Sequence, residues 1–221
     1  MEKHQIFIHQ QCIEYKLTYK RMKSIRIKVI QGQMVVSAPY STPLSYIEAC
    51  IVQYADKLLT QLNQYVPYAI YHDKGYVDIF GERYEICLRD LGTNKCCIHD
   101  HRLYVYHQHI EGCVECYLQK ILYDYIQEKI IGYLAYDFDL DMPRIEIKKY
   151  KSRWGSCFYQ ENKVTFHLSL VHLKQDLIDY VIVHELTHFL QANHSPRFYQ
   201  EIEKRMPDYR ERQKRLKEKH L

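Results

Sequence analysis

The sequence predicts an α+β protein, β-rich with one helix in its N-terminal half and made of helices against a small sheet in its C-terminal half. Three observations predict it. Apolar residues alternate with polar ones from Gln5 to Ala38, and again in short segments between Tyr76 and Val105. They recur at helical spacing from Leu44 to Leu62 and from Glu111 to about Ala135. A third helical pattern, from about Lys174 to Ala192, follows a short alternating segment that begins at Lys163. The length of 221 residues allows one ample core or two small ones. The change of pattern predicts a β-rich N-terminal subdomain over residues 1–110 and a second subdomain over 111–221.

In chain order, the alternation from Gln5 to Ala38, clear in the stretches 24–30 and 34–37 around a turn at Gln31-Gly32-Gln33, reads as antiparallel strands. Ser41-Thr42-Pro43 is a helix start, and Leu44, Ile47, Ile51, Ala55, Leu58, Leu59 and Leu62 predict a helix of about five turns. Strands are expected over 76–80, 84–88 and 103–105, separated by Gly81, by Gly92-Thr93-Asn94 and by the stretch 99–102. After the helical region that ends at about Ala135, Met142-Pro143 breaks into Ile145-Glu146-Ile147, a further strand. No repeat or low-complexity segment interrupts this order.

Composition is that of an ordinary globular chain, with 47% apolar and 26% charged residues and 22 tyrosines to supply amphipathic packing sites. The formal charge is +4, and the stretch from Arg205 to Lys219 holds seven Lys/Arg against Asp208, Glu211 and Glu218, an excess of the same size. Such a basic terminal helix is either a solvated face or a surface for nucleic acid or an acidic partner. Residues Met1 to Gln5 carry charge with no apolar run behind them, and no stretch approaches bilayer length, so a cytoplasmic protein without membrane contact is expected. Its eight cysteines are then expected as reduced thiols. No GxSxG elbow, Walker loop or GxGxxG stretch occurs, which leaves serine hydrolysis, nucleotide hydrolysis and dinucleotide chemistry without support.

The chemistry sits in His184-Glu185-Leu186-Thr187-His188. Two imidazoles four residues apart on a helix project from one face, one turn apart, where a single metal ion can bridge them. The intervening Glu185 is placed to act as a general base towards metal-activated water. In a chain with 13 histidines the five-residue pattern is weak by itself, and its context strengthens it. Ile178, Ile182, Leu186 and Phe189 form an apolar stripe, so the motif belongs to a buried helix where unpartnered polar groups are costly.

A catalytic zinc needs a third protein ligand and keeps a fourth position for water. His194 lies six residues beyond His188, the spacing of the metzincin pattern, with Gln191 where that pattern has glycine; Asn193, tolerant of left-handed geometry, is expected to make the turn. Ser195-Pro196 then starts a new helix. Glu201 and Glu203, 13 and 15 residues beyond His188, are the competing third ligands.

Lys151-Ser152-Arg153-Trp154-Gly155-Ser156-Cys157, the strand to Leu168, the segment from Tyr180 to His188, and Asn193-His194-Ser195-Pro196-Arg197-Phe198 together resemble the YgjP-like metallopeptidases, related more distantly to SprT-type proteases. The resemblance is specific over residues 141–210 and looser over 5–62. It implies a small zincin-like catalytic part with its active-site helix packed on a short sheet, zinc held by His184, His188 and His194, Glu185 as general base, and a peptide or protein substrate. It places residues 153–157 beside the catalytic region, where they shape the cleft or support the site; packing alone reads them as a tight turn around the single Trp.

Two other readings compete. Cys113-Val114-Glu115-Cys116 with Cys96, Cys97, His99 and His101 is a candidate second, structural zinc site, although adjacent Cys96 and Cys97 are a poor substitute for a spaced pair. A non-catalytic, zinc-containing module that binds nucleic acid or protein would keep the histidines but has no use for Glu185.

Overall fold

The computed structural model describes residues 2–150 and 152–219, so Met1, His220, Leu221 and the first residue of the 151–157 motif lie outside the described residues. The protein is α+β, with three sheets among those residues. It divides into two compact units at Pro67–Tyr68. The boundary expected between residues 110 and 111 therefore falls inside the second unit. The helix that begins there shares one core with the strands before it, Val77, Ile86 and Leu103 packing with Val114, Leu118 and Leu122. A change of periodicity marks a change of element; burial decides which elements share a core.

In the first unit, strands β1 (Glu2–Ile8), β2 (Gln11–Lys20), β3 (Arg26–Ile30) and β4 (Gln33–Pro39) form one sheet in the order β1-β2-β4-β3. The pairing is not wholly antiparallel as expected: β2 runs parallel to β4, with Tyr15 opposite Met34. The β3–β4 hairpin enters with β4 innermost, which leaves β3 at the edge. The hairpin turns, His9-Gln10 and Gln31-Gly32, hold both central residues at positive φ, the turn whose twist matches that of the strands. The single five-turn helix is two, α1 (Leu44–Gln53) and α2 (Ala55–Gln64), interrupted at Tyr54. The apolar stripe survives the interruption, and Ile47, Ile51, Ala55 and Leu58 cover the sheet face of Tyr15, Leu17, Met34, Val36 and Ala38.

The second unit opens with β5 (Ala69–Ile70), β6 (Tyr76–Ile79), β7 (Glu82–Leu88), β8 (Cys96–His99) and β9 (Arg102–Val105), a sheet in the order β5-β6-β7-β9-β8. Helix α3 (Ile110–Tyr136) follows. Then come β10 (Arg144–Lys148), β11 (Gly155–Phe158) and β12 (Lys163–His167), with β12 central and buried along most of its length. The chain ends in α4 (Gln175–Leu190), α5 (Pro196–Arg205) and α6 (Tyr209–Lys217). Helix α4 takes its place from both sides. Ile178, Ile182 and Leu186 are fully buried. The Tyr125 hydroxyl of α3 donates to Asp179 at 2.7 Å, and Arg215 of α6 pairs with Asp176 at 2.5 Å.

Candidate active site

Helix α4 presents His184 and His188 one turn apart, and their rings meet edge to face with centroids 5.1 Å apart. The helix ends at Leu190 because Gln191 is extended, with φ −140° and ψ 104°. Asn193 is not among the residues at positive φ, so the left-handed turn expected there does not form; the extended Gln191 ends the helix instead. Two residues later Ser195 caps α5, accepting from the Phe198 N–H, with Pro196 in the first turn. His194, held between these two fixed points, has its ring 5.0 Å from that of His184 and 4.9 Å from that of His188. One nitrogen from each of the three rings lies within 4.8 Å of the others, and among the described residues this is the one His/Cys/Asp/Glu group so placed.

Phe198 organises the three rings. Its side chain is fully buried, and its centroid lies 5.0, 4.7 and 4.8 Å from His184, His188 and His194. Nothing in the sequence assigned it that role. Its position, third in a helix opened by Ser-Pro, was legible; the apolar floor it makes was not.

Electrostatics favour neutral imidazoles. Burial, reinforced by His188 and His194, pushes His184 down to about 3. Burial and then His194 lower His188 as well, against backbone hydrogen bonds to Gln191 and Ala192. A neutral ring has a lone pair to offer a cation. His188 Nδ1 faces the Gln191 carbonyl at 3.3 Å, which leaves its Nε2 free. Nε2 of His184 and Nε2 of His194 are 3.1 Å apart, while His184 Nδ1 is buried without a partner. Two nitrogens each ~2.0–2.1 Å from one tetrahedral zinc are separated by roughly 3.3 Å, so the spacing of the His184–His194 pair fits that ion, as does a set of three imidazoles.

Glu185, the next residue after His184, is almost completely buried. Burial raises its pKa to about 8, opposed by the Arg153 charge and by a hydrogen bond from the Cys157 backbone. Strand β11 passes directly over the carboxyl. A Cβ on Gly155 would stand 2.7 Å from Glu185 Oε1 and 2.8 Å from Cγ, so only glycine permits the approach. Beside it Arg153 reaches Ser156 Oγ at 3.2 Å and lies over the Tyr150 ring. The 153–157 segment thus encloses Glu185, and its Trp154 packs edge to face on His167. Cys157 is no nucleophile: burial and the neighbouring Glu185 push its thiol up to about 12.

His167 holds this segment down. Its Nε2 faces the Tyr150 carbonyl at 2.9 Å and its Nδ1 accepts from the Ser169 N–H at 2.9 Å, while its own backbone N–H donates to Trp154. The competing third ligands point elsewhere: Glu201 is paired with Lys204 at 2.6 Å and Arg205 at 2.7 Å, and Glu203 with Arg210 at 3.6 Å. The second zinc site is not assembled either. Cys96 and Cys113 approach to 3.3 Å, but Cys97 turns to the Tyr106 hydroxyl, and no third ligand joins them among the described residues.

No curated protein sequence matches the chain significantly. The crystal structure of the metallopeptidase zymogen of Pyrococcus abyssi abylysin is similar over 42% of this chain and 89% of its own, at 22% identity and a TM-score of 0.36. No helix is long and apolar enough to cross a membrane among the described residues. Residues 23–219 match the family model described as YgjP-like, metallopeptidase domain, which takes in both the histidine cluster and the segment that encloses Glu185. The chain belongs to the YgjP-like metallopeptidases.

Proposed function

We propose that this metallopeptidase is a zinc-dependent cytoplasmic enzyme that cleaves peptide or protein substrates, with His184, His188 and His194 as metal ligands and Glu185 as general base. The observation that carries this reading is the meeting of three imidazoles on one side of α4 while a buried carboxyl adjoins them in sequence. Zinc bound there would supply a Lewis acid that polarises the scissile carbonyl and acidifies water. Glu185 accepts the proton of the attacking water at a carboxylate oxygen and returns it to the departing amine. Its burial raises its basicity towards the range where both transfers run near neutral pH, and the Arg153 charge limits that rise. Strand β11, closed over the carboxyl at Gly155, fixes its direction and keeps bulk water from it. A purely structural zinc module is disfavoured, because burying Glu185 costs free energy that such a site has no use for.

The test is Glu185→Gln, nearly isosteric but unable to take the proton. Zinc content should stay at the wild-type level while turnover of a quenched peptide library falls by about 10²–10⁴-fold. Unchanged turnover removes the general-base role; lost zinc makes Glu185 a ligand. In parallel, His194→Ala should lose zinc affinity and Glu201→Ala and Glu203→Ala should not, read by competition with a chromogenic chelator. Mass spectrometry of peptides released from a cell lysate by the zinc-loaded protein then gives the substrate and shows whether cutting is internal or terminal.

A further inference from the structure

Strand alternation gives the sheet of the first unit two faces, and helices α1 and α2 cover only one. The register fixes what the other face carries. Lys3 stands opposite Lys16, Lys16 opposite Val35, and Val35 opposite Lys28, so one row across all four strands holds three lysines. The next row adds Arg26, opposite Ser37, and Lys20 lies beyond it. The acid on this face is Glu14, already paired with Lys3 at 3.2 Å. Like charges directly opposite one another destabilise a strand pair, so Lys3 against Lys16 is no folding device. The turn between β2 and β3 extends the basic surface with Arg21 and Lys23.

We propose that this open sheet face binds the phosphodiester backbone of single-stranded nucleic acid. Neighbouring strands are ~4.8 Å apart and successive rows on one face about 6.7 Å, which sets cations at close, regular intervals over a flat surface. Phe7, 74% exposed, stands on the same face opposite Cys12, and Gln5, Gln33 and the Lys3-paired Glu14 lie between it and the lysine row. A track of cations with an exposed aromatic ring for base stacking is the arrangement that serves sequence-tolerant single-strand binding. An acidic polypeptide is drawn by the same charges but offers no base to stack on the ring, and the vesicle arm of the experiment below separates an anionic bilayer from a nucleic acid strand.

The proposal is independent of the peptidase chemistry, and Glu185→Gln should leave binding intact. Fluorescence anisotropy of the full chain with labelled 20-nucleotide oligouridylate and oligodeoxythymidylate, at several salt concentrations, is the direct measurement. Binding should weaken with salt, with a log–log slope of about −0.7 for each phosphate contacted. Lys16→Glu/Lys28→Glu should weaken binding at least tenfold and reduce the slope by about 1.4, as should the milder Lys16→Gln/Lys28→Gln. Lys16→Arg/Lys28→Arg should restore affinity, and Lys57→Glu, on α2, should leave it unchanged. The tighter of the two oligomers identifies the natural strand. Absence of binding at low salt, loss through Lys214→Glu/Lys217→Glu in α6 instead of through the sheet, or equal binding of polyglutamate or phosphatidylserine vesicles would overturn the proposal.

Discussion

Residues 1–67 hold eight Lys/Arg against four Asp/Glu and so carry a formal excess of +4, whereas the remaining 23 Lys/Arg are matched by 23 Asp/Glu. In the second unit the charges are turned on one another and on the framework. Arg205, Arg210, Arg212 and Arg215 of the basic tail meet Glu201, Glu203, Asp208 and Asp176. The Asp176 pair ties α6 to the first turn of the helix that bears the histidines. In the first unit the sheet cations point outward, and Lys3 is the one with an ion pair among the described residues. The excess that the sequence appeared to place in the tail is balanced within its own unit, and the unbalanced charge lies on the sheet. One unit turns its charges onto its own framework, and the other carries its charge excess on a sheet face.

If the units are separate in stability as in charge, a core deletion should stay local. Ile47→Ala, in the fully buried core of the first unit, should cost that unit about 2–5 kcal/mol, seen as loss of hydrogen-exchange protection over residues 2–64, with peptidase turnover retained. Equal loss of protection in α4 would break the comparison. A smaller effect is expected where the second unit packs most tightly around a polar group. Gly155→Ala should push β11 or the Glu185 carboxyl aside, costing about 1–3 kcal/mol in a thermal melt and lowering kcat more than it raises KM.

The smallest effect is a dependence on pH. His172 Nδ1 faces the Asp78 carbonyl at 2.6 Å and its ring stacks on Tyr68; burial lowers its pKa, as it does that of His167. With the folded pKa below the unfolded value near 6.5, the unfolded chain binds more protons in the window between them. Stability of the second unit should therefore fall as pH drops below about 6.5 and be independent of these groups above it. His172→Gln should flatten the acid side of a melting-temperature profile. A profile unchanged by the substitution would remove His172 from the pH response.

Much of the site was legible in the sequence. The i, i+4 imidazoles and the intervening glutamate needed only helical geometry, and the helix itself announced its buried stripe through Ile178, Ile182 and Leu186. The capping pair Ser195-Pro196 located the restart of the chain, which confined His194 to a short connection. Other features were hidden for identifiable reasons. The β8–β9 hairpin turns on Asp100-His101, both at positive φ but without the glycine that signals such a turn, so the sequence offers no hairpin signal for β8, which meets the expected separator 99–102 only at His99. The parallel pairing of β2 with β4 leaves no mark on either strand's alternation.

The sequence by itself determined the types of the main elements, the two faces of each strand, and which residue types were available for a metal and a base, because these depend on periods of 2 and 3.6 and on side-chain chemistry. Tertiary structure alone decided the grouping of β5 to β9 with α3, the role of Gly155 above Glu185, the floor that Phe198 makes under three imidazoles, and the alignment of Lys3, Lys16 and Lys28 in one row. Each of these joins residues distant along the chain. Their meeting depends on which buried faces share a core and on strand register, and local sequence preference carries no information about either.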